Sequence, residues 1–172
     1  SLQDNVSGYR STAIGHYALN NSVVTTAAEN VAVGYRTGVS STTGISNTLL
    51  GTEAGAVLTT GSHNIFVGNG AGTSVTTGSD NTAVGSAAFD ANAGGSQNTA
   101  VGRNALGANT SANNNTAVGY NSLAANTTGT ANTAMGYNAG LSNTTGTALS
   151  AFGQSAGQAN TTGFANTAMG VS

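Results

Sequence analysis

The sequence predicts an all-β chain wound as a parallel β-solenoid of about ten coils. Three observations carry the prediction. One glycine recurs every 17 residues, at Gly34, Gly51, Gly68, Gly85, Gly102, Gly119, Gly136, Gly153 and Gly170, with Gly15 nineteen residues before Gly34. Asparagine opens most units, and a large apolar residue precedes each marker glycine. Proline is absent, and Gly, Asn and Thr recur too often for helix, where Gly alone costs about 1 kcal/mol relative to Ala. A strict period of this length marks an architecture in which each unit stacks on the last.

The clearest units are N-T-A-V-G-Y-N-S-L-A-A-N-T-T-G-T-A from Asn115 to Ala131 and N-T-A-M-G-Y-N-A-G-L-S-N-T-T-G-T-A from Asn132 to Ala148. The opening asparagine stands at positions 30, 47, 64, 81, 98, 115, 132 and 166, and only Ser11 and Leu149 break the column. The run T-A-V-G-Y reads as a short strand. Alanine mostly fills its second position, with Leu49 and Phe66 as large exceptions. A later column alternates between Leu or Phe (Leu19, Phe89, Leu106, Leu123) and Gly (Gly38, Gly55, Gly72, Gly140, Gly157). The N-T-T-G run reads as a corner, where Gly supplies a backbone angle closed to other residues and Asn bonds the local backbone. Two short strands and two corners per unit are expected, with one insertion near Ala28 and Glu29. A rise of about 4.8 Å per coil gives a rod roughly 45–50 Å long.

Stacking places like on like, so Asn30, Asn47 and Asn64 are expected to form an amide ladder. Ala117 and Val118 are neighbours in a strand and point to opposite faces. Both columns are apolar, which predicts burial of both faces. The alanine face fills the coil's own interior. The Val/Ile/Met face needs other cover, and three copies of the chain around a common axis would supply it.

Composition removes several function classes. The chain has 172 residues, 5% charged and 5% aromatic, with a net charge of −2. Arg10, Arg36 and Arg103 are the only Lys or Arg residues, so no basic surface serves nucleic acid. No stretch approaches a membrane span, and membrane insertion of this segment is not expected. The absence of cysteine removes disulfides and thiolate metal sites. Asp4, Glu29, Glu53, Asp80 and Asp90 occupy mostly different columns, as do His16 and His63. The expectation is therefore no enzyme, no catalytic residue, no metal and no cofactor. Calcium-binding β-rolls carry an Asp in every coil, a pattern this chain lacks.

Ligand contact is assigned to the tyrosines of the column after the marker glycine, Tyr35, Tyr120 and Tyr137, as residues that can meet a sugar. Threonine columns (Thr82, Thr99, Thr116, and Thr110, Thr127, Thr144) admit an ice-binding alternative, although side-chain ladders account for them more simply. Sequons such as Asn126-Thr127-Thr128 admit glycans at the corner. Leu2, Asn5 and Gly8 fall in the columns of Leu123, Asn126 and Gly129, and Ser172 stops just before the column of Ser1. Neither end carries a polar cap. Residues 1–172 are therefore expected to be one repeat domain within a longer fibre, or a filament subunit that stacks head to tail.

The N-T-A-V-G and N-T-A-M-G units resemble the N-S-V-A-I-G repeats of trimeric autotransporter adhesin heads, and similar repeats in phage and viral tail-fibre shafts. The resemblance spans Leu2 to Gly170. It implies a left-handed parallel β-roll, a homotrimer, and a structural or adhesive role at a cell or virion surface, facing a receptor or glycan. The present unit is longer than the adhesin unit, and N-T-T-G replaces the usual second corner.

Overall fold

The computed structural model describes residues 10–20 and 28–171. Among these residues, ten parallel strands form one sheet in chain order. They are β1 (Thr12–Ile14), β2 (Val31–Val33), β3 (Thr48–Leu50), β4 (Ile65–Val67), β5 (Thr82–Val84), β6 (Thr99–Val101), β7 (Thr116–Val118), β8 (Thr133–Met135), β9 (Ser150–Phe152) and β10 (Thr167–Met169). Each strand pairs with its equivalent in the next coil, as Thr99 with Thr116, Ala100 with Ala117 and Val101 with Val118. The all-β parallel solenoid read from the 17-residue period is the architecture observed.

One expectation is corrected. Each coil contributes one three-residue strand, not two. The rest of the coil is turn, because three points in nearly every repeat adopt left-handed backbone. In the coil that starts at Asn98 these are Asn104 (φ 57°), Leu106 (φ 52°) and Asn114 (φ 60°). Left-handed residues interrupt the extended backbone a second strand needs. Outside the ten strands, the described residues contain a single bridge, Thr147 with Phe164.

The marker glycine is required twice over. At Gly68 the backbone has φ +137°, and a Cβ there would lie 2.5 Å from the carbonyl oxygen of Gly85 in the next coil. Its conformation is one L side chains rarely adopt, and the space for a side chain is taken by the neighbouring backbone. The corner therefore repeats glycine because the coils approach each other there.

The interior is a narrow apolar column: Ala32, Leu49, Phe66, Ala83, Ala100, Ala117, Ala134 and Ala151 are all buried. Opposite them stands the alternating Gly/Leu/Phe column. The two compensate in size. Where the strand side carries Leu49 and Phe66, the turn side carries Gly38, Gly55 and Gly72, and a Cβ on Gly72 would come within 2.6 Å of the Phe66 ring. Where the strand side shrinks to Ala83, Ala100 and Ala117, the turn side supplies the buried Phe89, Leu106 and Leu123. Leu149, which interrupts the asparagine column, is also buried, and its side chain lies 3.1 Å from the Cβ position of Gly140. Leu58 and Val75, buried in the corner column of the same coils as Leu49 and Phe66, add to the filling there, and the matched sizes keep the interior close-packed.

Leu19 is nineteen residues from its column mate Gly38, and Glu29 is seventeen from Ser46. The two extra residues of the insertion thus fall between them, in a stretch that includes residues 21–27, outside the described residues. The expected continuation of the columns through Leu2, Asn5 and Gly8 also lies outside them.

Size compensation makes a direct prediction. Phe66→Ala leaves a cavity and lowers unfolding stability by about 3–5 kcal/mol. Adding Gly72→Leu to that variant restores at least half of the loss, since Leu is accommodated at φ +52° in the equivalent Leu106. Gly72→Leu alone destabilises by overpacking. Urea titration of the four proteins measures the cycle, and additive losses in the double variant would contradict the compensation.

Candidate functional site

The opening asparagines from Asn30 to Asn132 are buried and hydrogen-bonded, and Asn166 is exposed. The backbone N–H of Asn64 donates to Asn47 Oδ1 at 2.9 Å. Asn64 Nδ2 donates to the same oxygen at 3.1 Å and to the Gly78 carbonyl at 2.9 Å. The pattern repeats at Asn81 and Asn98. At the break, Leu149 N–H still donates to Asn132 Oδ1 at 2.8 Å. Each amide oxygen thus serves the backbone N–H that opens the next coil, and each amide nitrogen ties the corner of its own coil, fourteen residues on, to the start of that coil. These residues hold the fold and are not available to a ligand.

A second amide ladder lines the corner, where Asn143 Nδ2 donates to Asn126 Oδ1 at 3.0 Å and Asn160 Nδ2 to Asn143 Oδ1 at 2.8 Å. Asn109, Asn126 and Asn143 are fully buried, so the sequons at these three corners are corrected as glycan sites, and the fourth corner asparagine, Asn160, is half-buried. Corner threonine hydroxyls are likewise engaged, Thr127 Oγ1 donating to the Thr144 carbonyl at 3.0 Å and Thr144 Oγ1 to the Thr161 carbonyl at 3.1 Å.

Two surfaces remain open. The first is the outer face of the sheet. The third residue of each strand, expected to be covered, is half-buried or exposed in the single chain, with Ile14 60%, Leu50 46% and Met135 42% exposed. Val31 and Ile65 add to it from the first strand position, otherwise Thr or Ser. Among the described residues, eight of the sixteen exposed large apolar side chains lie on this face: Ile14, Val31, Leu50, Ile65, Val84, Met135, Phe152 and Met169. It carries no charged side chain. Nine strand-to-strand steps make it a strip about 43 Å long. Apolar strips of that extent mark interaction surfaces.

The second is the column after the marker glycine. The three tyrosines read as ligand contacts do not act together. Tyr35 (45% exposed) sits by His16 and Tyr17, with ring centroids at 5.9 and 6.4 Å. Tyr120 and Tyr137, on successive coils, stack in parallel at 5.5 Å with a 9° interplanar angle. The Arg103 guanidinium lies 5.8 Å from the Tyr120 centroid, on the coil before. Stacking along the axis occupies the Tyr120 ring on both sides.

Column sharing also pairs charges, which the sequence reading missed. Arg10 and Glu29 meet at 3.0 Å, Arg36 and Glu53 at 3.4 Å, and His63 Nδ1 and Asp80 Oδ1 approach to 3.9 Å. The signal was present: Arg36 to Glu53 and His63 to Asp80 are each 17 residues apart. These pairs are exposed and worth at most about 1 kcal/mol each. Among the described residues, no group of three or more His, Asp or Glu is arranged to hold a metal ion. A concavity lined by Ser142, Gly157, Gln158, Ala159 and Asn160 carries no ionisable group.

Comparison with protein-family models, curated proteins and solved structures finds no match.

Among the described residues, Asp90 is the one titratable group whose environment clearly shifts it. Burial pushes its carboxyl above the usual carboxylate range, partly offset by the backbone N–H groups of Asp90 and Ala91. Folding therefore favours the protonated form relative to the unfolded chain. The stability this confers is complete below the ordinary pKa of 3.8 and is lost as pH rises through the raised value. Asp90→Asn is expected to raise the melting temperature at pH 7, with the gain shrinking to nothing as pH falls below about 4. A gain that persists unchanged into acid would contradict the assignment.

Proposed function

We propose that this chain is a structural segment of an extracellular fibre, homotrimeric through the outer face of its sheet, that holds or forms a binding region at a cell or virion surface. The observation that carries the reading is the outer strip, apolar, uncharged and uncovered over ten parallel strands. A lone coil with an alanine-filled interior buries little apolar surface to set against backbone entropy of about 1–2 kcal/mol per residue. Covering the strip with two further copies adds a second dry seam without changing the coil. Copies in parallel register place residues of the same size at each level, so the sequence of Val, Leu, Met and Phe along the strip is tolerated layer by layer.

The mechanism in this reading is mechanical. Backbone ladders, amide ladders and the interchain seam run along one axis and share an applied load. The resemblance to adhesin heads and tail-fibre shafts points the same way, and so do the ladders, which leave few free ends or long loops for proteases.

The mass of the native particle in solution tests the assembly: three chains are expected, and a single chain would overturn the trimer. Val118→Asp is expected to give monomers or unfolded chain, whereas Thr110→Asp, on the exposed corner, keeps the native mass. Equal tolerance of both substitutions would remove Val118 from an interface.

A further inference from the structure

We infer that the row formed by Arg103, Tyr120 and Tyr137, with the neighbouring amides of Asn121 and Asn138, binds a carboxylated sugar. Arg103 is the described arginine without a carboxylate partner, since Arg10 is held by Glu29 and Arg36 by Glu53. It is exposed. From position 104 to the end of the chain there is no charged residue, so Arg103 stands at the border of an uncharged half of the rod. Tyr120 holds it in place from below the guanidinium, a cation–π contact within the usual 6 Å. Tyr137 in turn holds Tyr120. The row is thus ordered before any ligand arrives, which reduces the entropy of binding.

Its chemistry selects the ligand class. Among the described residues no hydrogen bond engages the Arg103 guanidinium or the Tyr120 and Tyr137 hydroxyls. A free guanidinium takes a carboxylate through two parallel N–H donors. One cation is too few for a phosphate backbone, whose binding scales with the number of charges neutralised. The adjacent column offers half-buried amides, Asn121 and Asn138, the first ordered by Asn104 Nδ2, which donates to Asn121 Oδ1 at 2.9 Å. Phenol hydroxyls and amides, one set per coil, match the alternating donors and acceptors of sugar hydroxyls. The tyrosine faces are occupied by axial neighbours at Tyr120, so recognition runs through hydroxyls and charge there and not through ring stacking.

The inference rests on the fibre reading for its biological use, and its test is separate from that of the trimer. The native protein is titrated calorimetrically with oligosaccharides bearing glucuronate, galacturonate or sialate, each beside its carboxyl-reduced form. At least one acidic sugar is expected to bind five-fold or more tightly than its reduced counterpart. Arg103→Gln is expected to abolish that preference, and Tyr137→Phe to weaken both forms, while native mass stays unchanged in both variants. Absence of binding across the panel, equal affinity for acidic and reduced forms, or an unaltered preference in Arg103→Gln would each overturn the inference. Tighter binding of polyglutamate than of every sugar would overturn the ligand class. A monomeric mass with an intact acidic preference would sink the trimer and leave the site.

Discussion

From β2 onward, each residue of a strand lies about 4.8 Å from those seventeen positions before and after it, and whatever occupies a column must be able to sit on a copy of itself or on a chosen complement. Two like charges at that distance repel by about 1 kcal/mol even in bulk water, and more near protein. A chain with only eight formally charged residues avoids most such clashes, and where charges share a column they pair, as in Arg36 with Glu53. Asparagine, in contrast, carries both a donor and an acceptor and satisfies itself from coil to coil. The unusual composition is thus a consequence of stacking.

The same constraint explains the interior. The large interior side chains change columns along the rod, from Leu49 and Phe66 on the strand side to Phe89, Leu106 and Leu123 on the turn side and then to Leu149, and the facing column carries Gly or Ala where they stand. The large residues at left-handed positions, such as Phe89 at φ 56°, show that packing outweighs a local backbone cost of about 1–2 kcal/mol. Outside, stacking has the opposite effect. It aligns Val, Leu, Met and Phe into a strip that the single chain leaves open, and it aligns Arg103 with Tyr120 and Tyr137 into a row. The proposed assembly and recognition therefore rest on the same geometry as the fold.

Much of this was legible in the sequence because the period converts positions into neighbours. The marker glycines, the asparagine ladder and the inward alanines follow from counting in seventeens. The second strand did not survive, because Asn104, Leu106 and Asn114 carry no glycine to announce a left-handed backbone. Size compensation escaped notice since the two columns lie on opposite sides of the coil, a relation that period alone does not give. The corner sequons misled because the motif is read locally, whereas the enclosure of Asn126 depends on its ladder partner Asn143 one coil away. Tyr35, Tyr120 and Tyr137 do share a column, but five coils separate the first from the second, too far to act on one small ligand.

Register is the claim on which all of this depends, and removing chain tests it most directly. Deleting residues 98–114, one whole repeat of seventeen, joins Gln97 to Asn115 and leaves every remaining residue above its proper column mate. Deleting Thr110 alone removes one exposed corner residue and breaks the column alignment at that coil. Circular dichroism and urea unfolding should find the seventeen-residue deletion folded with a cooperative transition, and the single deletion strongly destabilised. A single deletion tolerated as well as the full repeat, or a full-repeat deletion that unfolds the chain, would contradict the account.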